Sequence, residues 1–292
     1  MKWLITGADG QLGRCLQDRL VNKPGHVVKA TDAAQLDIAD RQAVLDAVSA
    51  FAPDVVINAA AYTAVDKAES DEELAGKVNA DASGYLAEAC EQAGIWFAHV
   101  STDYVFDGSA NIAYREADEV NPCSVYGATK LRGEQKVEAA CSRYFILRTA
   151  WVFSEYGNNF VITMLRLGRE RDSLNVVVDQ FGCPTYAGDI ADAIIVMAEK
   201  ALKGEVAAGI YHYAGDLAVN WWSFTREIHA QAVATGKMQK APELGAIPTS
   251  AYPTPATRPA FSVLDCSKIQ SLGVKPSDWR AALGRVLTLL DK

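Results

Sequence analysis

The sequence lacks long apolar runs. No run approaches the roughly 20 residues that a membrane-spanning helix requires. The first apolar stretch also ends at Gly7, which is too early for a signal peptide. We therefore expect a cytoplasmic protein that does not associate with membranes.

Clustered cysteine and clustered positive charge are missing as well. The six cysteines are scattered, without a Cys-x-x-Cys pair and without neighbouring histidines. This argues against a disulfide scaffold and against structural zinc, so no metal site is expected, and it fits a reducing compartment. The net charge of −8 leaves no basic stripe for nucleic acid. A small anionic ligand held by a few local donors remains compatible with this charge.

The chain does contain enough apolar residues for a large core. It has 292 residues, half of them hydrophobic, which suits one large or two small domains. Short apolar runs alternate with amphipathic stretches, and this predicts an α/β fold with a Rossmann-like, doubly wound parallel sheet. Strands are predicted at 3–6, 27–31, 55–57, 95–101 and 145–147, and helices at 11–21, 41–51, 72–93 and 124–140.

The later part of the chain mixes helices with short strands at 174–178 and 210–213. Prolines concentrate at 247–259, where a stiff loop is expected because proline fixes φ. We predict a dinucleotide-binding domain at 1–150 and a smaller mixed α/β substrate-binding lobe at 151–292. A return of the chain to the first domain is left open.

A glycine-rich loop follows the first predicted strand. Gly7, Gly10 and Gly13 give a G-x-x-G-x-x-G spacing at the start of the first helix. Glycine lets the backbone approach a pyrophosphate, and the helix N-terminus offers free N–H groups to the anion. Asp32 ends the second strand nineteen residues after Gly13, close to the distance expected for an acid that binds the adenosine ribose. The pattern predicts dinucleotide binding, although its middle spacing departs from G-x-G-x-x-G.

Tyr126 and Lys130 stand four residues apart, so both lie on one face of the predicted helix. An ammonium group beside a phenol stabilises phenolate, and such a tyrosine exchanges protons with a carbinol or ketone. The spacing alone arises easily by chance, and its weight comes from its place before the fifth strand. A hydroxyl at the end of the fourth strand, Ser101 or Thr102, is expected to meet this pair at the carboxyl edge of the sheet.

Longer stretches carry a resemblance to a known family. These stretches are 7–13, 56–69, 101–108, 126–130, 148–153, 157–160 and 248–259. On them the chain resembles the extended short-chain dehydrogenases/reductases and, within these, the family of dTDP-4-dehydrorhamnose reductases. The resemblance covers nearly the whole chain. It implies reduction of the C4 ketone of dTDP-4-dehydro-β-L-rhamnose with NADPH or NADH.

The resemblance also implies roles for individual residues. Tyr126 would protonate the C4 oxygen, Lys130 would bind the nicotinamide ribose and lower the Tyr126 pKa, and Thr102 would hydrogen-bond the ketone. With Tyr126 and Lys130, the implied cofactor residues are Gly7, Asp9, Gly10, Gln11, Leu12, Gly13, Asp32, Asp37, Ile38, Ala59, Ala60, Ala61 and Thr63. With Thr102, the implied substrate residues are Asp103, Tyr104, Trp151 and Arg258. Core packing is the alternative for Trp151. Arg258 is the candidate for the diphosphate, with a surface salt bridge as its alternative.

Two features depart from the family pattern. Some members are dimers bridged by magnesium through glutamates, whereas this chain has Cys15, Gly188 and Leu289 at those places, none a hard-oxygen ligand. We therefore predict a monomer or a weak homodimer. Asp32 would repel a 2′-phosphate and favour NADH. Because the family uses both dinucleotides, we expect use of both.

Two other interpretations remain open at this stage. A nucleotide-sugar epimerase or dehydratase of the same fold would retain oxidised NAD and return the hydride. A regulatory subunit, like the family relative that binds methionine adenosyltransferase, would need no catalysis. The joint presence of Thr102, Tyr126 and Lys130 favours the reductase.

Overall fold

A parallel sheet forms the centre of the computed structural model, which describes residues 1–21 and 23–290. Its strands are β1 (Lys2–Thr6), β2 (Val27–Thr31), β3 (Val55–Asn58), β4 (Trp96–Thr102), β5 (Tyr144–Thr149) and β10 (Gly209–His212). They lie in the order β10-β5-β4-β3-β1-β2, and every pairing is parallel. Strands β1, β3 and β5 are almost wholly buried, as expected for short apolar runs covered on both faces. The prediction of a parallel α/β sheet is confirmed.

Helices cover both faces of this sheet. The helices of the described residues are α1 (Gln11–Leu20), α2 (Arg41–Phe51), α3 (Val65–Ala68), α4 (Glu72–Gly76), α5 (Ala82–Ala93), α6 (Val125–Ala140), α7 (Phe160–Glu170), α8 (Ala187–Leu202), α9 (Trp221–Ala234), α10 (Ser267–Gln270) and α11 (Trp279–Leu289). Successive residues of β1 point to opposite faces. Leu4 joins a core cluster with α2, α5 and α6, whereas Trp3 and Ile5 join one with α1 and α8.

The helix predicted at 72–93 is present but carries one irregular turn. A π-helical turn, Lys77–Asp81, joins α4 to α5. Helix α6 packs closely on this turn, because a Cβ on Gly133 would lie only 2.2 Å from the carbonyl oxygen of Asn79. Helix α6 begins at Ser124, whose side chain accepts a hydrogen bond from the Gly127 N–H at 3.1 Å. These contacts fix the first turns of α6, which carry Tyr126 and Lys130.

The elements after β5 build a second group of packed helices and short strands. The strands are β6 (Val152–Phe153), β7 (Ser173–Val177), β8 (Phe181–Gly182), β9 (Thr185–Tyr186), β11 (Val219–Asn220) and β12 (Glu243–Ile247). They pair as β6-β9, β7-β12 and β8-β11. Helices α7, α9 and α11 share one apolar cluster around Phe153, Phe224 and Trp279. Between α8 and β11 the chain adds β10 beside β5 of the central sheet, and a domain boundary near residue 150 stays a prediction.

The proline-rich loop at 248–260 is attached to the rest of the protein at both ends. The backbone N–H of Thr249 donates to the carboxylate of Asp179 at 2.8 Å, and the carbonyl of Ala260 accepts from the Phe181 N–H at 2.8 Å. A Cβ on Gly108 would lie 2.5 Å from the Cβ of Pro259, so the loop packs directly on this glycine. The loop that the prolines predict to be stiff is therefore also held by hydrogen bonds and packing against the rest of the protein.

Within the two described ranges, no helix combines the length and the apolar character that crossing a membrane requires.

Candidate active site

A cleft of about 710 Å³ runs along the carboxyl ends of β1 to β5. This is the edge at which open α/β sheets bind ligands. Most of the predicted site residues line it: Gly7, Gly10, Gln11, Leu12, Asp32, Asp37, Ile38, Ala59, Ala60, Ala61, Thr63, Thr102, Asp103, Tyr104, Tyr126, Lys130 and Trp151. Three predicted residues, Asp9, Gly13 and Arg258, are not part of that lining. Asp9 lies on the surface, 3.5 Å from Arg14.

The glycine loop is packed so tightly that side chains would not fit. Gly7 has φ +74°, and a Cβ there would lie 2.6 Å from the backbone nitrogen of Ala60. A Cβ on Gly13 would lie 2.1 Å from the carbonyl oxygen of Gly7, so this glycine serves the contact of helix with loop. Gly10 caps α1 without any side-chain hydrogen bond, which leaves the first N–H groups of the helix available to an anion. This arrangement fits the pyrophosphate of a dinucleotide.

Polar side chains hold the strand ends beneath this loop. The Thr6 hydroxyl donates to Asn58 Oδ1 at 2.8 Å, and the Ala60 N–H donates to the same oxygen at 3.2 Å. At the end of β2, Asp32 Oδ1 accepts from the N–H groups of Ala34 and Gln35 at 2.8 and 2.9 Å. One carboxylate oxygen of Asp32 is thus fixed by the turn, and the other is the one that suits a ribose hydroxyl.

Lys130 and Tyr126 lie on α6 opposite the end of β4. The ammonium group of Lys130 is only 2 % exposed and donates to the Val100 carbonyl at 2.7 Å. Burial lowers the pKa of Lys130 to about 8, against the opposing charge of Glu134. Burial raises the pKa of Tyr126 to about 12, while a hydrogen bond with Thr102 acts in the opposite direction.

The upward shift of the Tyr126 pKa is opposite to the effect expected from the Tyr-Lys spacing. Burial, which disfavours the phenolate, is the largest cause of the upward shift, and the nearby Asp103 carboxylate adds to it. The Lys130 ammonium group instead donates to the backbone carbonyl of Val100. In this arrangement Tyr126 remains a neutral phenol at neutral pH, which is the state of a proton donor.

Asp103 brings a buried carboxyl group to the same edge. It is 2 % exposed, and burial raises its pKa from 3.8 to about 6. Thr102 Oγ1 donates to Asp103 Oδ1 at 3.0 Å. Among the described residues, Asp103 Oδ2, Ser101 Oγ and Thr149 Oγ1 are buried without a hydrogen-bond partner. Such a group of unsatisfied atoms at one sheet edge is suited to a polar ligand.

Aromatic rings form the wall beyond these polar groups. Tyr104 and Tyr126 meet edge to face with centroids 5.5 Å apart. Trp151 has φ +48° and stacks on Trp221, with ring centroids 3.4 Å apart and planes 6° apart. A Cβ on Gly182 would lie 2.6 Å from the Trp151 ring. Trp221 could not be predicted as a neighbour of Trp151, since no local sequence pattern links the two residues.

Arg258 is paired within the protein. Its two terminal nitrogens donate to the two carboxylate oxygens of Asp66 at 3.0 and 2.7 Å. The backbone N–H of Ala256 donates to Asp66 as well, at 3.2 Å. The salt bridge considered as the alternative for Arg258 is thus present, and its contact with a diphosphate stays a prediction.

The cleft is also lined by residues that were not predicted as site residues from the sequence. They include Val78, Gly157, Asn158, Asn159 and Ile190. The 157–160 stretch carried a signal, since it belongs to the family resemblance, but nothing placed it at the cleft. In the part of the chain that the structure describes, no group of three or more metal-ligating side chains is assembled.

Comparisons with known proteins agree with this geometry. A family model described as RmlD substrate binding domain matches residues 1–291. A dTDP-4-dehydrorhamnose reductase from Aggregatibacter actinomycetemcomitans is 48% identical over 285 residues, which cover 97% of each chain. The crystal structure of a dTDP-4-dehydrorhamnose reductase from Clostridium acetobutylicum superposes with a TM-score of 0.93 at 40% identity, over 100% of both chains. The crystal structure of a dTDP-4-dehydrorhamnose reductase from Bacillus anthracis in complex with NADP superposes with a TM-score of 0.90 at 35% identity, over 99% of both chains.

Proposed function

Because the chain belongs to the RmlD substrate binding domain family, we infer that it reduces the C4 ketone of dTDP-4-dehydro-β-L-rhamnose with NADPH or NADH. The product is dTDP-β-L-rhamnose. The observation that carries this inference is the 48% identity to a dTDP-4-dehydrorhamnose reductase over 97% of both chains. The chemistry of the cleft supports it, since the cleft combines a dinucleotide-type glycine loop with a buried tyrosine.

The residues of the glycine loop and the β2 end are suited to hold the dinucleotide. The packed backbone at Gly7 and the uncapped start of α1 would receive the pyrophosphate. Asp32 would bind the adenosine ribose, and Asp37 and Ile38 would lie beside the adenine. The wall after β3 is formed by Ala59, Ala60, Ala61 and Thr63. When bound, the reduced nicotinamide supplies the hydride.

Tyr126 supplies the proton in this proposal. Its phenol keeps the proton at neutral pH because its pKa is raised to about 12. Thr102 lies between Tyr126 and Asp103, where its hydroxyl orients the ketone and the phenol toward each other. Lys130 lies one turn further along α6, where its ammonium group donates to the Val100 carbonyl of β4, and it would bind the nicotinamide ribose. Positioned acid catalysis of this kind contributes about 10²–10⁴-fold to a rate.

The sugar nucleotide would contact the other end of the cleft. Asp103, Tyr104 and Trp151 line it there, and Arg258 follows on the proline-rich loop. Arg258 would reach a diphosphate only by sharing or leaving its bidentate contact with Asp66. We also propose that residues 1–150 serve mainly the dinucleotide and 151–292 mainly the sugar nucleotide. A monomer or weak homodimer, without a nucleic-acid or membrane partner, completes the proposal.

The test follows the absorbance of the reduced nicotinamide with purified protein. The substrate is made in the same mixture from dTDP-glucose by the upstream dehydratase and epimerase. We expect oxidation that depends on this substrate, with dTDP-rhamnose as the product, and with either dinucleotide. Absence of oxidation, while a control reductase is active in the same mixture, would overturn the proposal.

A further inference from the structure

Trp151 lines the cleft, and its ring is supported by a residue from another element. We propose that Trp221 is a positioning residue that fixes the indole of Trp151 for the sugar nucleotide. The proposal rests on the proposed function, because Trp151 is one of its substrate residues. It adds a residue that lies outside the described lining of the cleft.

The backbone of Trp151 has an unfavourable conformation. Its φ of +48° lies in the left-handed region, which is unfavourable for a residue with a bulky side chain. A conformation of this kind persists only where surrounding contacts impose it. The backbone at Trp151 is therefore held by tertiary contacts, among them the hydrogen bond from the Thr185 N–H to the Trp151 carbonyl at 3.1 Å.

Trp221 and Gly182 lie against the indole of Trp151. The Trp221 ring covers one face of Trp151 with centroids 3.4 Å apart and planes 6° apart. The backbone of Gly182 lies so close that a Cβ would come within 2.6 Å of Trp151 Nε1. The indole is thus confined by a ring on one face and by backbone at its Nε1 side, which leaves it few alternative rotamers.

Trp221 is itself held by hydrogen bonds. Its Nε1 donates to Gln180 Oε1 at 3.1 Å, and Gln180 is only 6 % exposed. Gln180 Nε2 in turn donates to Thr249 Oγ1 at 3.1 Å, at the start of the proline-rich loop. The backbone at Trp221 is fixed too, because Asn220 caps α9 by accepting from the Ser223 N–H at 2.8 Å. A continuous set of contacts therefore joins the cleft wall to the loop that carries Arg258.

A preorganised ring lowers the entropy lost when a ligand binds against it. Removal of the Trp221 ring would free Trp151 without changing Tyr126, Lys130 or Thr102. The Michaelis constant for the sugar nucleotide should then rise up to about tenfold. The turnover number and the Michaelis constant for the reduced dinucleotide should stay near their wild-type values.

The experiment compares Trp221→Leu, Trp221→Phe and Trp222→Leu in the full chain. Trp222 is the matched control, since it is the next residue of α9 but contacts the Leu244 carbonyl and Arg226 instead. Each variant is assayed for kcat, for both KM values and for its thermal midpoint.

We expect Trp221→Leu to raise only the sugar-nucleotide KM. Trp221→Phe should restore most of the wild-type KM, and Trp222→Leu should change neither KM value. An unchanged sugar-nucleotide KM in a folded Trp221→Leu protein would overturn the proposal. So would a parallel fall of kcat, both affinities and the thermal midpoint that Phe does not rescue.

A second variant covers the case in which Trp221→Leu does not fold. Gly182→Ala places a Cβ against Trp151 from another strand and leaves Trp221 intact. It should raise the same KM, and no change would reject a role for the position of Trp151. Wild-type protein that fails to oxidise the dinucleotide with this substrate would reject the proposed function instead, so the two failures are distinguishable.

Discussion

Burial shifts the pKa values of Tyr126 and Lys130 in opposite directions. The pKa of Tyr126 rises to about 12 because the buried site solvates a phenolate poorly. The pKa of Lys130 falls to about 8 because the same burial disfavours an ammonium ion. Both groups hold their protons at neutral pH. That state suits reduction of a ketone, in which the acid must begin protonated.

The Lys130 pKa predicts how the activity depends on pH. The charged form of Lys130 is present below its pKa of about 8 and is lost above it. We therefore expect kcat/KM for the sugar nucleotide to fall as the pH rises through about 8, with reduced dinucleotide saturating. A series of initial rates from about pH 6 to about pH 10 measures this. A profile that stays flat to the alkaline end would show that Lys130 charge is not required.

Asp103 predicts an effect on stability. Its pKa is raised from 3.8 to about 6, so the folded protein binds this proton more tightly than the unfolded chain. The stability that it contributes is greatest below pH 4 and is lost as the pH rises to about 6. Asp103→Asn should therefore raise the free energy of unfolding by about 1–3 kcal/mol at neutral pH, while activity falls.

Urea denaturation of both proteins checks this at neutral pH and near pH 4. The advantage of Asp103→Asn should shrink at the lower pH, where the wild-type carboxyl is already neutral. A variant that is less stable than wild type at both pH values would contradict the inference that the buried Asp103 carboxylate destabilises the folded protein at neutral pH.

The central strands could be placed from sequence to within about two residues, for a physical reason. Strands buried on both faces are short apolar runs between turn residues, and β1, β3 and β5 have this form. The two-residue strands β6, β8, β9 and β11 are too short to show any alternation. The π-helical turn at Lys77–Asp81 could not be predicted from the sequence either, because its close contact with α6 at Gly133 joins elements that are distant in the chain.

The candidate site divides in the same way. Residues at strand ends and in the glycine loop could be found because their spacing places them at one edge of the sheet. The stacking of Trp151 on Trp221 could not be found, since these residues come from different elements and neither position has a local pattern. The raised pKa of Tyr126 could not be predicted from the Tyr-Lys spacing for a similar reason, because the burial that raises it depends on the tertiary fold.

The end of β2 predicts the choice of dinucleotide. A carboxylate at Asp32 disfavours a second negative charge beside the ribose. We expect Asp32→Ala to shift the ratio of kcat/KM for NADPH over NADH toward NADPH by about tenfold. Asp46→Ala is the control, because Asp46 is exposed on α2 and bonds only to Gln42 among the described hydrogen bonds. An unchanged ratio in Asp32→Ala would remove Asp32 from the ribose site.

The cleft is built by the molecule as a whole. The central sheet supplies its floor through strand ends that are far apart in sequence. The segment after β5 supplies Trp151, Val152 and Asn159, and the chain later returns to the sheet as β10. Residues of both groups of elements therefore line the same cleft. A dinucleotide on one side and a sugar nucleotide on the other would meet at Tyr126.

The most direct measurement is the comparison of Tyr126→Phe with wild type. This change removes the phenolic proton and keeps the ring that packs against Tyr104. We expect kcat to fall by about 10²–10⁴-fold. The dissociation constant for the reduced dinucleotide should change by no more than about twofold. Tyr144→Phe is the control. Tyr144 is the first residue of β5 and lies at the end of that strand away from the cleft, so this variant should retain full activity. Turnover of Tyr126→Phe within a few-fold of wild type would contradict the assignment of Tyr126 as the proton donor.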